Sequence, residues 1–364
     1  MSFAARVVAW HRSHGRHDLP WQAGRDAYRV WLSEVMLQQT QVATVLPYFA
    51  RFVAEFPTVE ALAAAPLSRV LALWSGLGYY RRAHHLHAAA RIVAERHHGR
   101  FPCDAATLAT LPGIGRSTAA AIAAFASGER AAILDGNVKR VLARHRGIDG
   151  WPGKPQVAAQ LWRSAEALLP STSDCVRDRA VIADYTQGMM DLGATICARA
   201  KPRCGACPVR DDCVAHRESR IETLPSPRPR RTPPQRAVIL LLLERDDAFL
   251  FERRPAVGVW GGLWSLPEVS FDGDGSDIES LVSAAIRVRF GVARGMCERL
   301  APLTHFFTHF ALTMHPVRVA LDVPLQAMES DAFEWMTLDA AIDAALPSPI
   351  RRLLRSLDTN AAAA

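Results

Sequence analysis

Through the first 220 residues apolar positions recur at spacings of three and four, in Ala-rich stretches broken by turn signals. That is the period of helices buried along one face. Residues 58–65, 68–74, 82–97, 116–126 and 157–169 read as helices, and AYRVWLSEVMLQQTQV (27–42) reads as one amphipathic helix. No run alternates as a strand would, so an all-α domain is expected over 1–224. The stretch 224–236 (LPSPRPRRTPPQR) has five prolines in 13 residues. Proline removes a donor and fixes φ, so 225–236 reads as an extended linker. Beyond it the period changes. Residues 237–244 and 248–253 are apolar, β-branched or aromatic runs flanking Arg245-Asp246-Asp247, as two strands flank a turn. Residues 276–290 read as helix, 309–321 as strand, and 338–345 and 348–357 as helices. An α+β domain is therefore expected over 237–360, ahead of a low-complexity tail, 361–364.

Composition adds limits. At 49% hydrophobic and 22% charged, the 364-residue chain is ordinary globular protein and not a disordered one. Its longest apolar runs, 119–126 and 237–243, fall well short of the roughly 20 residues that span a bilayer. The first residues lack the long apolar core of a signal peptide. Charge is divided unevenly: net +9 over 1–224, +4 over 225–236 and −6 over 237–364. A basic first half suits a polyanionic partner, nucleic acid first among them, or else a solvated basic face.

Four of the seven cysteines fall within 17 residues, spaced Cys197-x6-Cys204-x2-Cys207-x5-Cys213. Four thiolates on tight turns suit a tetrahedral zinc or a [4Fe–4S] cube. A single CxxC flanked by unequal gaps favours the cube over a zinc ribbon.

LPGIG (111–115) precedes a helix carrying Ser117 and Thr118 in its first turn. Backbone N–H groups at such a hairpin can hold a phosphate oxygen, which makes Gly113 and Gly115 candidates. A plain helix–helix turn is the alternative; a dinucleotide loop is not, because no strand precedes it. Twenty residues on, Asp135-Gly136-Asn137 reads as a turn and helix cap. Upstream, Glu34 stands among Val30, Trp31, Val35, Met36 and Leu37. A carboxyl in such surroundings keeps its proton near neutrality and can act as an acid; facing solvent it would not. Gln38, Gln39, Thr40 and Gln41 form an uncharged hydrogen-bonding run of the kind that reads base edges. GLGYYRR (76–82) offers aromatics for stacking and cations for phosphate.

Taken in order, LPW (19–21), WLSEVMLQQTQV (31–42), GLGYYRRA (76–83), LPGIGRSTA (111–119), ILDGNVKR (133–140), the four-Cys loop and HFFTHF (305–310) resemble the adenine DNA glycosylases, the MutY family of the endonuclease III superfamily. The resemblance spans nearly the whole chain. It implies a helix-hairpin-helix glycosylase domain with a [4Fe–4S] loop and a Nudix-like C-terminal domain. The implied activity is base excision repair of adenine opposite 8-oxoguanine or guanine in duplex DNA, by a monomer in the bacterial cytoplasm. Glu34 is implied as the acid and Asp135 as the carboxylate facing the sugar cation. Gln39 and Tyr79 are implied as wedge and stack, with Leu37 and Thr40 beside them. Trp21, Gln22 and Gln187 would line the adenine pocket, Gly113, Gly115, Ser117 and Asn137 would touch DNA, and Phe307-Thr308-His309 would inspect 8-oxoguanine.

Two departures sharpen this expectation. Relatives that also cut the strand carry a Schiff-base lysine two residues after the second hairpin glycine; here that position is Ser117, and Lys139, Lys154 and Lys201 all lie elsewhere. A Schiff base needs an amine, so a monofunctional enzyme is expected. GVWGGLWSLPE (258–268) resembles the start of a Nudix motif, but the following helix offers only Asp277 and Glu279 and no RExxEE pattern. A recognition module is expected there, not a pyrophosphatase. A thymine or oxidised-pyrimidine glycosylase and a non-catalytic DNA-binding protein are the rival readings.

Overall fold

The computed structural model describes residues 1–229, 232–271, 277–291, 296–321 and 332–361. Ser276 and the tail 362–364 of the sequence reading lie outside them. By packing the chain forms two units, Met1–Ala64 with His85–Arg230, and Ala65–His84 with Arg231–Ala364. Among the described residues no helix is long and apolar enough to cross a membrane.

The helices in chain order are α1 (Phe3–His14), α2 (Ala27–Leu37), α3 (Val42–Glu55), α4 (Val59–Ala64), α5 (Leu67–Trp74), α6 (Arg81–Arg96), α7 (Ala105–Leu108), α8 (Arg116–Ala126), α9 (Gly136–Arg146), α10 (Pro155–Ala167), α11 (Thr172–Arg177), α12 (Val181–Asp191) and α13 (Val214–Arg217). In the first unit Val7 of α1, Ala121 and Ala124 of α8, Val138 and Leu142 of α9, Leu161 of α10, and Ile182 and Met189 of α12 share one core. The alanines of α8 matter here, because small side chains let three neighbours approach it closely.

Residues 27–42 do not form one helix. α2 starts on an Asp26 cap that accepts from Arg29 N–H at 3.2 Å, and it stops at Leu37. Gln39 takes a left-handed φ of 58°, and α3 begins at Val42. The run Gln38–Gln41 offers no apolar face to bury, so nothing holds it in the helix. Instead the Gln38 amide donates to the Gly113 carbonyl at 3.3 Å, tying this turn to the glycine hairpin.

In the second unit β1 (Gln235–Arg245) and β2 (Ala248–Arg253) form a hairpin. Asp246 and Asp247 both take positive φ, 46° and 62°, as a two-residue primed turn requires. β3 (Trp264–Ser265), β4 (Glu268–Phe271), β5 (Cys297–Arg299), β6 (Leu303–Phe306), β7 (Ala311–Ala320) and β8 (Phe333–Thr337) complete the described sheet. β1 and β7 run parallel, Gln235 opposite Ala311 through to Glu244 opposite Ala320; the other pairs are antiparallel. The sheet therefore claims Gln235 and Arg236, which the sequence reading assigned to the linker. α14 (Ile278–Phe290) buries Ile278, Val282 and Ile286 against it, and α15 (Leu338–Asp343) and α16 (Ser348–Ala361) follow.

Packing groups 65–84 with this sheet unit. The Ser75 hydroxyl and the Tyr80 hydroxyl both donate to the Leu346 carbonyl, at 3.0 and 3.1 Å, and Arg351 donates to Ser75 at 2.8 Å.

Candidate active site

Glu34 points into a hollow of about 210 Å³. His11 of α1, His17, Trp21 and Gln22 of the loop before α2, Val30 and Ser33 of α2, Phe125 of α8, and Ala183, Asp184 and Gln187 of α12 line the rest of it. α2 is buried on nearly every side, with Trp31, Leu32, Val35 and Met36 all at 2% exposure or less, so its one carboxyl lies in low dielectric. That burial, and then the negative charge of Asp135, pushes the Glu34 pKa up to about 8. Trp21 is held edge-on against Phe49, ring centroids 5.3 Å apart.

Asp135 caps α9, its Oδ1 accepting from Val138 N–H at 2.8 Å and its Oδ2 from the Asn137 amide at 3.3 Å. Burial raises its pKa, against the pull of those donors and of Arg140. Asn137 is doubly committed, since its Oδ1 also accepts from Arg140 at 2.9 Å. Two carboxyls thus sit close enough to feel each other's charge, one of them protonated at neutral pH. Asp135 itself is not among the residues that line the hollow.

The hairpin is a type II turn: Ile114 N–H returns to Leu111 O at 3.2 Å, with Pro112 second and Gly113 third at φ 77°. Gly115 starts α8 with no side-chain cap, so the first-turn N–H groups face outward unclaimed by any capping side chain. Ser117 is turned inward; its Oγ accepts from Leu134 N–H at 2.8 Å and anchors the strand of backbone that delivers Asp135. Gly113 is the sensitive point, because a Cβ there would lie 2.7 Å from His85 Cβ in a backbone region that only glycine favours. Gly113→Ala is expected to destabilise the first unit by roughly 2 kcal/mol and to weaken DNA binding with it. Thermal melting and a duplex titration measure the two effects.

Gln39 is exposed at the tip of its turn, beside half-buried Leu37 and Thr40. Tyr79 is 50% exposed, also at positive φ (50°). Strained, exposed non-glycine residues of this kind cluster at working surfaces. Arg81 is exposed, but two other members of GLGYYRR differ from the sequence reading. Tyr80 and Arg82 are buried and hold the loop: Arg82 donates to the Leu77 and Gly78 carbonyls at 3.3 and 3.2 Å. They brace Tyr79 and do not reach solvent. In the sheet unit Phe307–Phe310 close the β6–β7 hairpin, Phe307 N–H donating to Phe310 O at 2.8 Å. Phe307 stacks on Phe310 and abuts Trp260, while Thr308 and His309 are exposed.

The four clustered cysteines are half-buried and none is in a disulfide. Burial raises the Cys204, Cys207 and Cys213 thiols, Cys207 to about 11, and each also feels the charge of Cys197. Among the described residues no three His, Cys, Asp or Glu side chains converge where a single metal ion would sit.

Sequence reasoning missed the buried acid behind Gln187, a residue that lines the hollow. Asp191 is fully buried at the end of α12 and gathers His11, Arg16 and Gln187. The signal was the basic run HRSHGRH (11–17), unreadable without its partner some 175 residues away.

A helical hairpin domain with a buried carboxyl in a hollow has the parts of a DNA glycosylase, a hydrolase of N-glycosyl bonds that acts on DNA, and the relatives of this chain are of that class. Residues 32–167 match the HhH-GPD superfamily of base excision DNA repair proteins, and 238–356 match the NUDIX domain. A thermostable thymine-DNA glycosylase superposes with TM-score 0.52 at 29% identity, covering 59% of this chain and 95% of that one. Adenine DNA glycosylase of Buchnera aphidicola subsp. Acyrthosiphon pisum is 33% identical across 98% of both chains, and that of Homo sapiens 32% identical across 97% of this chain and 73% of its own. The chain belongs to the adenine DNA glycosylase (MutY) family.

Proposed function

We propose that the protein removes adenine mispaired with 8-oxoguanine or guanine, as a monofunctional, monomeric enzyme of the bacterial cytoplasm. The observation that carries this is Glu34, protonated near neutrality in a hollow of about 210 Å³ and electrostatically coupled to Asp135. Adenine leaves poorly as an anion. Glu34 gives its proton to N7, the C1′–N9 bond breaks, and adenine departs neutral. The sugar cation left behind faces the Asp135 carboxylate, which stabilises its charge or bonds to C1′. Glu34, now ionised, takes a proton from the water that adds to C1′. Trp21, Gln22 and Gln187 surround the everted base, and extrusion is aided by Gln39 and Tyr79 entering the duplex, with Leu37 and Thr40 beside Gln39. Gly113, Gly115 and the first turn of α8 hold a phosphate, and Thr308 and His309 meet the oxidised base. With Ser117 occupied as an acceptor for Leu134 N–H and no amine on the hairpin, no Schiff base forms.

The four-thiol set suits a [4Fe–4S] cluster on Cys197, Cys204, Cys207 and Cys213. The single CxxC flanked by unequal gaps favours a cube over a single zinc. Such a group would brace the loop; the catalytic steps above do not use it. Visible thiolate-to-iron absorbance, or its lack, decides between iron and zinc.

The test is a set of duplexes carrying A:8-oxoG, A:G and T:G. Adenine release from the first two, with strand breaks only after alkali, is expected. Breakage without alkali would refute the monofunctional reading, and activity on T:G alone would favour the pyrimidine rival. Asp135→Asn is expected to lower single-turnover adenine release about 100-fold while duplex binding persists, since charge opposite the sugar cation is lost and shape is kept.

A further inference from the structure

We propose that Asp191 is a positioning residue that sets the polarity of the Gln187 amide, so that the hollow presents an acceptor and selects a 6-aminopurine over a 6-oxopurine. The proposal rests on the reading above, in which the hollow receives an everted adenine. Gln187 and Asp191 stand one helical turn apart on α12, and the Gln187 Nε2 donates to Asp191 Oδ1 at 2.8 Å. An ionised carboxylate only accepts hydrogen bonds, so the amide cannot reverse while Asp191 holds it. Its Oε1 is then the end left to face the hollow that Gln187 lines.

Asp191 is itself immobilised. Its Oδ2 accepts from the Arg16 backbone N–H at 2.9 Å, its Oδ1 from Arg16 Nε at 2.8 Å, and His11 Nδ1 lies 3.4 Å from Oδ2. Burial alone would raise its pKa, but the donors His11, Arg16 and Gln187 outweigh burial and keep it a carboxylate. The neighbouring Gln22 has its orientation fixed by its own loop, with one bond at each end of its amide: Oε1 accepts from Leu19 N–H at 3.2 Å and Nε2 donates to Arg16 O at 3.0 Å. Gln187 Oε1 can accept from an exocyclic amine. Against a 6-oxo group it would set acceptor against acceptor, which buried sites reject strongly.

The test compares single-turnover release of adenine and of hypoxanthine from otherwise identical duplexes, each opposite 8-oxoguanine. The readout is the ratio of the two rates, which a general loss of stability does not move. In Asp191→Asn the partner can donate as well as accept, the amide can reverse, and the adenine preference is expected to fall roughly tenfold or more. Gln187→Met, which has no amide to orient, is expected to lose the same preference, and adding D191N to it should change the ratio no further. Asp191→Glu, still acceptor-only, should keep the wild-type ratio whatever its rate. An unchanged ratio in Q187M or in folded D191N overturns the proposal, as does a lost ratio in D191E. If D191N does not fold, Q187M and D191E decide. A wild-type protein that releases no adenine from either mispair overturns the underlying reading instead, whereas an active wild type with unmoved ratios overturns this inference alone.

Discussion

Glu34→Gln is expected to lower adenine release by roughly three to four orders of magnitude, at the upper end of what a single general acid contributes, and at the same time to make the protein more stable. Both follow from one fact, the carboxyl held at a pKa of about 8 by burial and by Asp135. Glutamine keeps the shape and fills the same space but has no proton to give N7. Binding of a mispaired duplex should survive. In the wild type the acid form predominates below pH 8, so single-turnover release should fall as pH rises through about 8. The stability effect has the opposite origin. A free Glu loses its proton near pH 4.5, while folded Glu34 keeps it to about 8. Between those values the unfolded chain binds fewer protons than the folded one, so wild-type stability declines as pH rises, then levels off. A glutamine side chain in its place does not titrate. The variant's advantage in thermal melting should be small below pH 4.5 and grow toward pH 8, to on the order of 3–5 kcal/mol by the size of the shift. A variant that loses activity and melts at the wild-type temperature at every pH would mean that Glu34 is ordinarily solvated, and the mechanism would lose its acid.

The same residue shows what a sequence can disclose. An acid inside an apolar helical stretch declares its own environment, because α2 must bury Trp31, Val35 and Met36 whatever else it does. Asp135 was legible as a cap, and the primed turn at Asp246-Asp247 as a hairpin, since each is fixed by residues within three or four positions. The strand boundary at Gln235 was not, for it depends on pairing with Ala311. Nor was the inward turn of Tyr80 and Arg82. Their composition suits phosphate and stacking equally well, and only their bonds to the Leu346 and loop carbonyls decide against it. Asp191 was least legible of all. Nothing local distinguishes it from a solvent-facing acid near the end of α12; its meaning comes from Arg16 and His11, which the chain brings back from the other end of the domain.

Arg144 is a second residue of that kind, and its replacement by Met is expected to be among the most destabilising single changes in the protein. Arg144 lies on α9, 4% exposed, and its guanidinium is the hub of the cysteine segment. Nε donates to the Ile221 and Leu224 carbonyls at 3.1 and 2.9 Å, Nη1 to the Ala198 carbonyl at 2.7 Å and to Cys197 Sγ at 3.4 Å, and Nη2 to the Arg199 carbonyl at 3.2 Å. One planar group therefore fastens both the start (197–199) of the loop and the chain leaving it (221–224) to the helix. Methionine keeps the stem and its packing but withdraws every donor at once, leaving buried carbonyls short of partners. Each such loss costs about 1 kcal/mol or more, so the change should remove on the order of 3–5 kcal/mol. Lysine should do little better, because a single ammonium cannot reach across two segments as a fork does. Cys197 O retains a donor in Arg140 Nε at 2.7 Å, so the start of the loop should loosen less than its far end. Hydrogen exchange should show protection lost first at 221–224, then at 197–199, with α8 and the sheet unit unchanged. If a cluster occupies the four thiols, its absorbance should bleach at a lower temperature in the variant than in the wild type. Wild-type melting and unaltered exchange in Arg144→Met would show that these bonds are dispensable, and that the loop is held by its cysteines alone.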